Sequence, residues 1–209
     1  MSSPGERSIE PFAREPPLEV HGNSLRALLR AETAALHARV EASMPVLDPT
    51  LDRGGYARVL AALLRVYRPL ERKLIGEPIA GLGAWCDHKS QWLEQDLAAL
   101  GRTRASIDAL PDAEQVPTVA SSAEALGCRY VLEGATLGGA IISRYVVDRL
   151  GLESGGADFF SAYRSDTAER WRHFVAVLER WGGEHPREHG AVLGASRATF
   201  LAIERVLRP

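Results

Sequence analysis

The run Leu25-Arg-Ala-Leu-Leu-Arg-Ala-Glu-Thr-Ala-Ala-Leu-His37-Ala-Arg-Val-Glu41 contains no glycine or proline, and Leu25, Leu29, Leu36 and Val40 fall on one side of a helix. Asn23 or Ser24 can cap its start, and Pro45 and Pro49 stop it after about Ser43. The same grammar continues on either side. Ala, Leu, Arg and Glu dominate, alternating runs of Val, Ile and Thr are few, and Gly or Pro marks most breaks.

The pattern predicts a second helix over about Arg53 to Leu74, bent or split by Pro69, and a third over about Ala84 to Leu100. Residues 101–118 form a connection with room for one helical turn. A fourth, longest helix covers Val119 to about Leu150, and Gly151 to Gly156 is a loop. Two last helices cover about Phe159 to Trp181 and Glu188 to Leu207, separated by Gly182, Gly183 and Pro186. The fold class is all-α. The domain spans residues 23–209, and the proline-bearing stretch 1–22 reads as a flexible tail.

A chain of 209 residues with 45% hydrophobic and 25% charged residues can bury one sizeable core. Its net charge of -2 lacks the basic excess of a nucleic-acid binder, and no apolar run suggests a membrane span. Two cysteines, Cys86 and Cys128, cannot build a disulfide framework. The expected location is the cytoplasm.

On the first helix, Arg26, Arg30, Thr33 and Glu41 all lie within about 40° of His37, at the border of the apolar face. Glu41, four residues on, can hold one imidazole nitrogen and leave the other for a ligand. Arg30 stands roughly 10 Å back along the axis, which suits a flat ligand with acidic groups at its rim. The same residues also fit a satisfied border histidine among solvated helix charges.

A second anomaly lies in Glu133-Gly-Ala-Thr-Leu-Gly-Gly139. Three glycines in a helical pattern cost about 1 kcal/mol each relative to alanine. Either another helix packs closely there, or backbone approaches a bulky ligand.

Together, in this order and separation, the two segments resemble haem oxygenases, most closely the bacterial ones associated with phytochromes. The likeness covers about residues 24–208. It implies that haem, both cofactor and substrate, is sandwiched between a proximal and a distal helix and opened by O2 to biliverdin, CO and ferrous iron. His37 then ligates the iron and Glu41 supports it. Gly134, Gly138 and Gly139 form the distal side. Arg30 and Arg172 match propionate-binding positions, while Arg26 and Thr33 join by their place on the stripe. The family pattern often has Asp after the first distal glycine, where Ala135 stands here. That leaves the proton source open among Thr136, Ser143 and Arg144. With no flavin, nicotinamide or iron-sulphur motif, electrons come from an external donor such as ferredoxin or a flavoprotein reductase. A bacterial phytochrome is the implied recipient of the product.

Other readings are a haem carrier or sensor that leaves the ring intact, and a helical interaction module. A zinc site at His185-Pro-Arg-Glu-His189 is disfavoured, because Pro186 suits a first helical turn and places His185 outside the helix. The four tryptophans read as core and interface residues.

Overall fold

The computed structural model describes residues 24–83, 88–152 and 155–208. Among them there are nine α-helices and no strand: α1 (Leu25–Ser43), α2 (Arg53–Ile75), α3 (Lys89–Ala99), α4 (Arg104–Asp108), α5 (Ser122–Gly134), α6 (Gly139–Leu150), α7 (Asp158–Ser161), α8 (Thr167–Glu184) and α9 (His189–Leu207). The all-α reading holds. The tail over residues 1–22 and the first four positions expected of the third helix, 84–87, lie outside the described residues.

Local chemistry sets the start of α1. The Ser24 hydroxyl accepts from the Ala27 amide at 3.1 Å and donates to Glu179 of α8 at 2.6 Å. Glu179 also accepts from the amides of Leu25 and Arg26. Two of the orphan N–H groups that begin any helix are thus satisfied from α8, which locks the angle of α1.

Pro69 neither splits nor ends α2, which continues to Ile75. A proline at this position denies the Arg65 carbonyl its usual intrahelical donor. The Ala113 amide supplies one instead, at 2.8 Å, and the Arg65 side chain reaches back to the Pro111 carbonyl at 3.1 Å. The connection between α3 and α5 is fastened to α2 through this exchange, and its helical turn is α4.

The fourth expected helix is two. α5 stops at Gly134, a tight turn occupies 135–138, and α6 resumes at Gly139 and ends on left-handed Gly151. In the turn the amides of Thr136 and Leu137 bond three residues back, to Glu133 and Gly134. The helix expected over 159–181 also divides. Ala162 and Arg164 adopt positive φ, 33° and 54°, which separates α7 from α8. α8 then runs through Gly182 and Gly183 to Glu184.

α9 is the central column, packed against α5, α1 and α2. Its contact with α5 is close enough that a Cβ on Gly127 would collide with the Val192 carbonyl. The Ser196 hydroxyl crosses the same seam to the Gly127 carbonyl at 3.0 Å. Leu25, Leu29, Leu60, Leu64, Leu126, Phe174 and Val192 are all but fully buried in the core between these helices.

Candidate functional site

Between α1 and the α5–α6 turn lies a cavity of about 310 Å³, within the range of small-molecule sites. α1 contributes Arg30, Thr33, His37 and Glu41, while the opposite wall contains Gly134, Ala135, Leu137 and Gly138. α2 adds Leu63 and Tyr67, α7 adds Phe159 and Phe160, and Trp171 and Phe200 close the remaining sides. Most of the lining is apolar.

His37 keeps half of its side chain exposed, its Nδ1 lies 3.1 Å from Glu41 Oε1, and its ring meets the Phe200 ring edge to face at 5.8 Å. The carboxylate fixes Nδ1 as the proton-bearing nitrogen, which directs the lone pair to Nε2. Thr33 is buried and spends its hydroxyl on the Leu29 carbonyl at 2.6 Å.

Gly134 and Gly139 differ in what surrounds them. A Cβ on Gly134 would find Trp171 at 3.8 Å, ordinary contact, so protein packing does not require glycine there. What a methyl group would take is space at the cavity wall. Gly139 is outside the cavity, and its Cβ would collide with the Phe160 carbonyl. Close packing thus accounts for glycine at 139 and not at 134.

Arg26 and Arg172 do not line the cavity. Arg26 is buried where α1 meets α8, and Arg172 is exposed, its Nε donating to the Ala168 carbonyl at 3.3 Å. The hydroxyls singled out beside Ala135 are also committed elsewhere. Thr136 donates to the Glu133 carbonyl at 2.7 Å, Ser143 pairs with Ser161 at 2.8 Å, and Arg144 is exposed.

Sequence reasoning missed Tyr67, Tyr130 and Trp171 as cavity residues. Tyr67 is 1% exposed, and burial, with the charges of Glu71 and Glu133, pushes its hydroxyl well above the usual tyrosine range. It therefore stays protonated. Trp171 Nε1 is buried with no partner among the described residues, a donor left over at a ligand-sized space. Only the pairing of Tyr67 with Glu71 at helical spacing could have marked α2 as more than core.

The alternative metal motif has other duties. His185 Nδ1 donates to the Trp181 carbonyl at 2.9 Å, and His189 Nε2 donates to the Gly182 carbonyl at 2.9 Å. Among the described residues no group of three or more His, Cys, Asp or Glu side chains could hold a metal ion. Nor is any helix among them long and apolar enough to cross a membrane.

A sequence model of the family described as "Heme oxygenase" matches residues 23–209. The heme oxygenase PigA of Pseudomonas aeruginosa is 30% identical over 166 residues, 78% of this chain and 81% of that protein. A heme oxygenase of Xanthomonas campestris is 30% identical over 132 residues, 62% of this chain and 75% of that protein. Among solved structures, the heme oxygenase of Leptospira interrogans superposes with a TM-score of 0.68 at 20% identity, over 88% of this chain and 98% of that one. Heme oxygenase-1 of the cyanobacterium Synechocystis, solved in complex with heme, gives 0.67 at 17%, over 88% and 90%.

Proposed function

The chain belongs to the haem oxygenase family, and on that premise we propose that it binds haem in the cavity between α1 and the α5–α6 turn and opens it oxidatively. The observation that carries this reading is the meeting of His37 and the Gly134–Gly138 turn across one apolar cavity, from segments a hundred residues apart in the chain. The residues fit the group. The walls are apolar, Gly134 leaves room that packing does not claim, and Arg30 supplies a cation at the lining.

Bound there, haem supplies the oxygen-activating chemistry and is itself consumed, giving biliverdin, CO and ferrous iron. His37 would hold the iron through Nε2, with Glu41 orienting the imidazole and raising its basicity. A neutral imidazole suits ring hydroxylation better than a thiolate would. Arg30 would pair with a propionate of the bound group. The Gly134–Gly138 backbone lets the ring lie close without offering a basic side chain on that side. Phe159, Phe160 and Trp171 exclude bulk water.

Electrons come from an external ferredoxin-type or flavoprotein donor. A reducing cytoplasm suits a chain with only two cysteines. The handing of biliverdin to a bacterial phytochrome as its chromophore rests on the likeness of the two quoted segments.

Haemin titrated into purified protein tests the reading. A Soret shift that disappears in His37→Ala, followed by biliverdin formation under oxygen with a ferredoxin reducing system, is the expected result. No Soret shift refutes it. Haem that persists unchanged under those conditions makes the protein a haem carrier. Co-expression with a phytochrome apoprotein should give a photochromic holoprotein, and a bleached product would remove the phytochrome link.

A further inference from the structure

The four-residue helix α7 brings Phe159 and Phe160 to the cavity wall, and a single turn has no helical stability of its own. Its conformation is imposed from outside. On one side Gly155 and Gly156 adopt φ of 73° and 90°, which glycine accepts without strain. On the other, Ala162 and Arg164 stand at 33° and 54°, and they are the non-glycine residues of positive φ among the described residues. Ala162 combines its φ with a ψ of -124°, outside the small left-handed region open to L-residues. Strain of this kind persists only where neighbouring contacts over-determine it.

Tyr163 stands between the two strained residues, and its contacts fix them. Its hydroxyl accepts from Lys89 Nζ at 3.0 Å and donates to Glu133 Oε1 at 3.2 Å. Lys89 and Glu133, each 1% exposed, are themselves an ion pair. The Tyr163 ring meets Trp92 edge to face at 5.4 Å and lies under the Arg170 guanidinium at 4.6 Å. The rest of α7 is tied by short polar contacts: Asp96 accepts the Asp158 and Phe159 amides, and Ser161 pairs with Ser143 of α6 at 2.8 Å. A buried ion pair is seldom more stabilising than apolar residues of the same volume. What it offers instead is a rigid, directional socket for one hydroxyl.

We propose that residues 157–163 are a hinged flap over the cavity, strained when shut and held shut by Tyr163 seated in the Lys89–Glu133 pair. Gly155 and Gly156 are the relaxed hinge, and Ala162 is the sprung one. When Tyr163 leaves its socket, Ala162 returns to negative φ and α7 swings out, drawing Phe159 away from Tyr67 and Phe160 away from Tyr56. This widens a cavity of about 310 Å³ beside the glycine turn, where a flat macrocycle can enter and its product leave. What passes beneath the flap rests on the haem-binding reading above, while the flap itself does not. Tyr163 is a positioning residue, since it acts on the cavity through α7.

Two conservative variants push the flap in opposite directions. Tyr163→Phe keeps the ring and loses the catch, whereas Ala162→Gly keeps the catch and loses the strain. In ligand-free protein, hydrogen exchange of the amides over residues 159–162 should quicken about ten-fold or more in Tyr163→Phe and slow in Ala162→Gly, with α9 exchanging as in wild type. From haemin-loaded protein, transfer of haemin to excess apomyoglobin should be faster in the first variant and slower in the second. Unchanged exchange in Tyr163→Phe, or faster exchange in both variants, overturns the flap. Altered exchange with an unaltered rate of haemin transfer overturns its role as a gate. Wild-type protein that binds no haemin refutes the functional reading, and exchange in the ligand-free variants then still decides the flap.

Discussion

His37 borders the core rather than filling it, with half of its side chain exposed. His37→Ala should therefore change unfolding free energy by no more than about 1 kcal/mol while abolishing axial ligation, as measured by urea unfolding beside haemin spectra. The glycines separate more sharply. Gly134→Ala should leave the ligand-free protein as stable as wild type, or up to about 1 kcal/mol more stable, and weaken haemin binding. Gly139→Ala should cost about 3 kcal/mol or more, because the Phe160 backbone must move. Equal stabilities for the two variants would contradict this division. Sequence alone gives both glycines the same propensity penalty. The difference lies in a carbonyl that arrives from twenty-one residues further along the chain.

At the scale of elements, α7 depends on Asp96 of α3, which accepts the amides of Asp158 and Phe159 at 2.8 and 2.9 Å. Burial outweighs these bonds and raises the Asp96 carboxyl to about 6. A folded-state value above the ordinary one means that the folded protein binds the proton more tightly than the unfolded chain. The contribution of Asp96 to stability is therefore full below about pH 4 and is lost as pH rises through about 6, by up to about 3 kcal/mol. Unfolding of wild type and Asp96→Asn at pH 4 and pH 7 should show wild type holding the larger relative advantage at pH 4. A constant difference between the two would refute the assignment. Boundaries were legible where their causes are local: the cap at Ser24, the prolines after Ser43, and Gly151 in the left-handed region. They were not legible where the cause is tertiary. Pro69 reads as a breaker until Ala113 meets the carbonyl it leaves, and nothing in the periodicity of 159–181 announces the positive φ values at Ala162 and Arg164.

For the molecule as a whole, α1 stands across the cavity from the glycine turn, and two carboxylates help to fasten it to α8 and α9. Glu179 of α8 grips the first residues of α1, and Glu204 of α9 receives Arg39 of α1 through two guanidinium nitrogens, at 2.9 and 2.6 Å. The Arg39 hydrogen bond holds the Glu204 carboxyl below its ordinary value, so this fastening is present at neutral pH and is lost in acid. Glu179→Ala should cost about 2 to 3 kcal/mol in urea unfolding and weaken haemin binding, although Glu179 does not line the cavity. Unaltered haemin affinity in that variant would show that α1 keeps its place without the grip. The pair of helices around the site was readable from two segments. The clamps were not, because Glu179 and Glu204 look like any solvated helix glutamate until their partners are known.

Pro69 ties an atom that is missing to a segment that is present. With alanine at that position, α2 would regain an internal donor for the Arg65 carbonyl, and the strand of chain around Ala113 would have to compete for its berth. Pro69→Ala should thus give a better-formed rod and a looser neighbour at once, seen as faster nicking by protease between residues 109 and 118. In this fold, a tertiary amide nitrogen that cannot donate serves as the latch for a loop forty-four residues away.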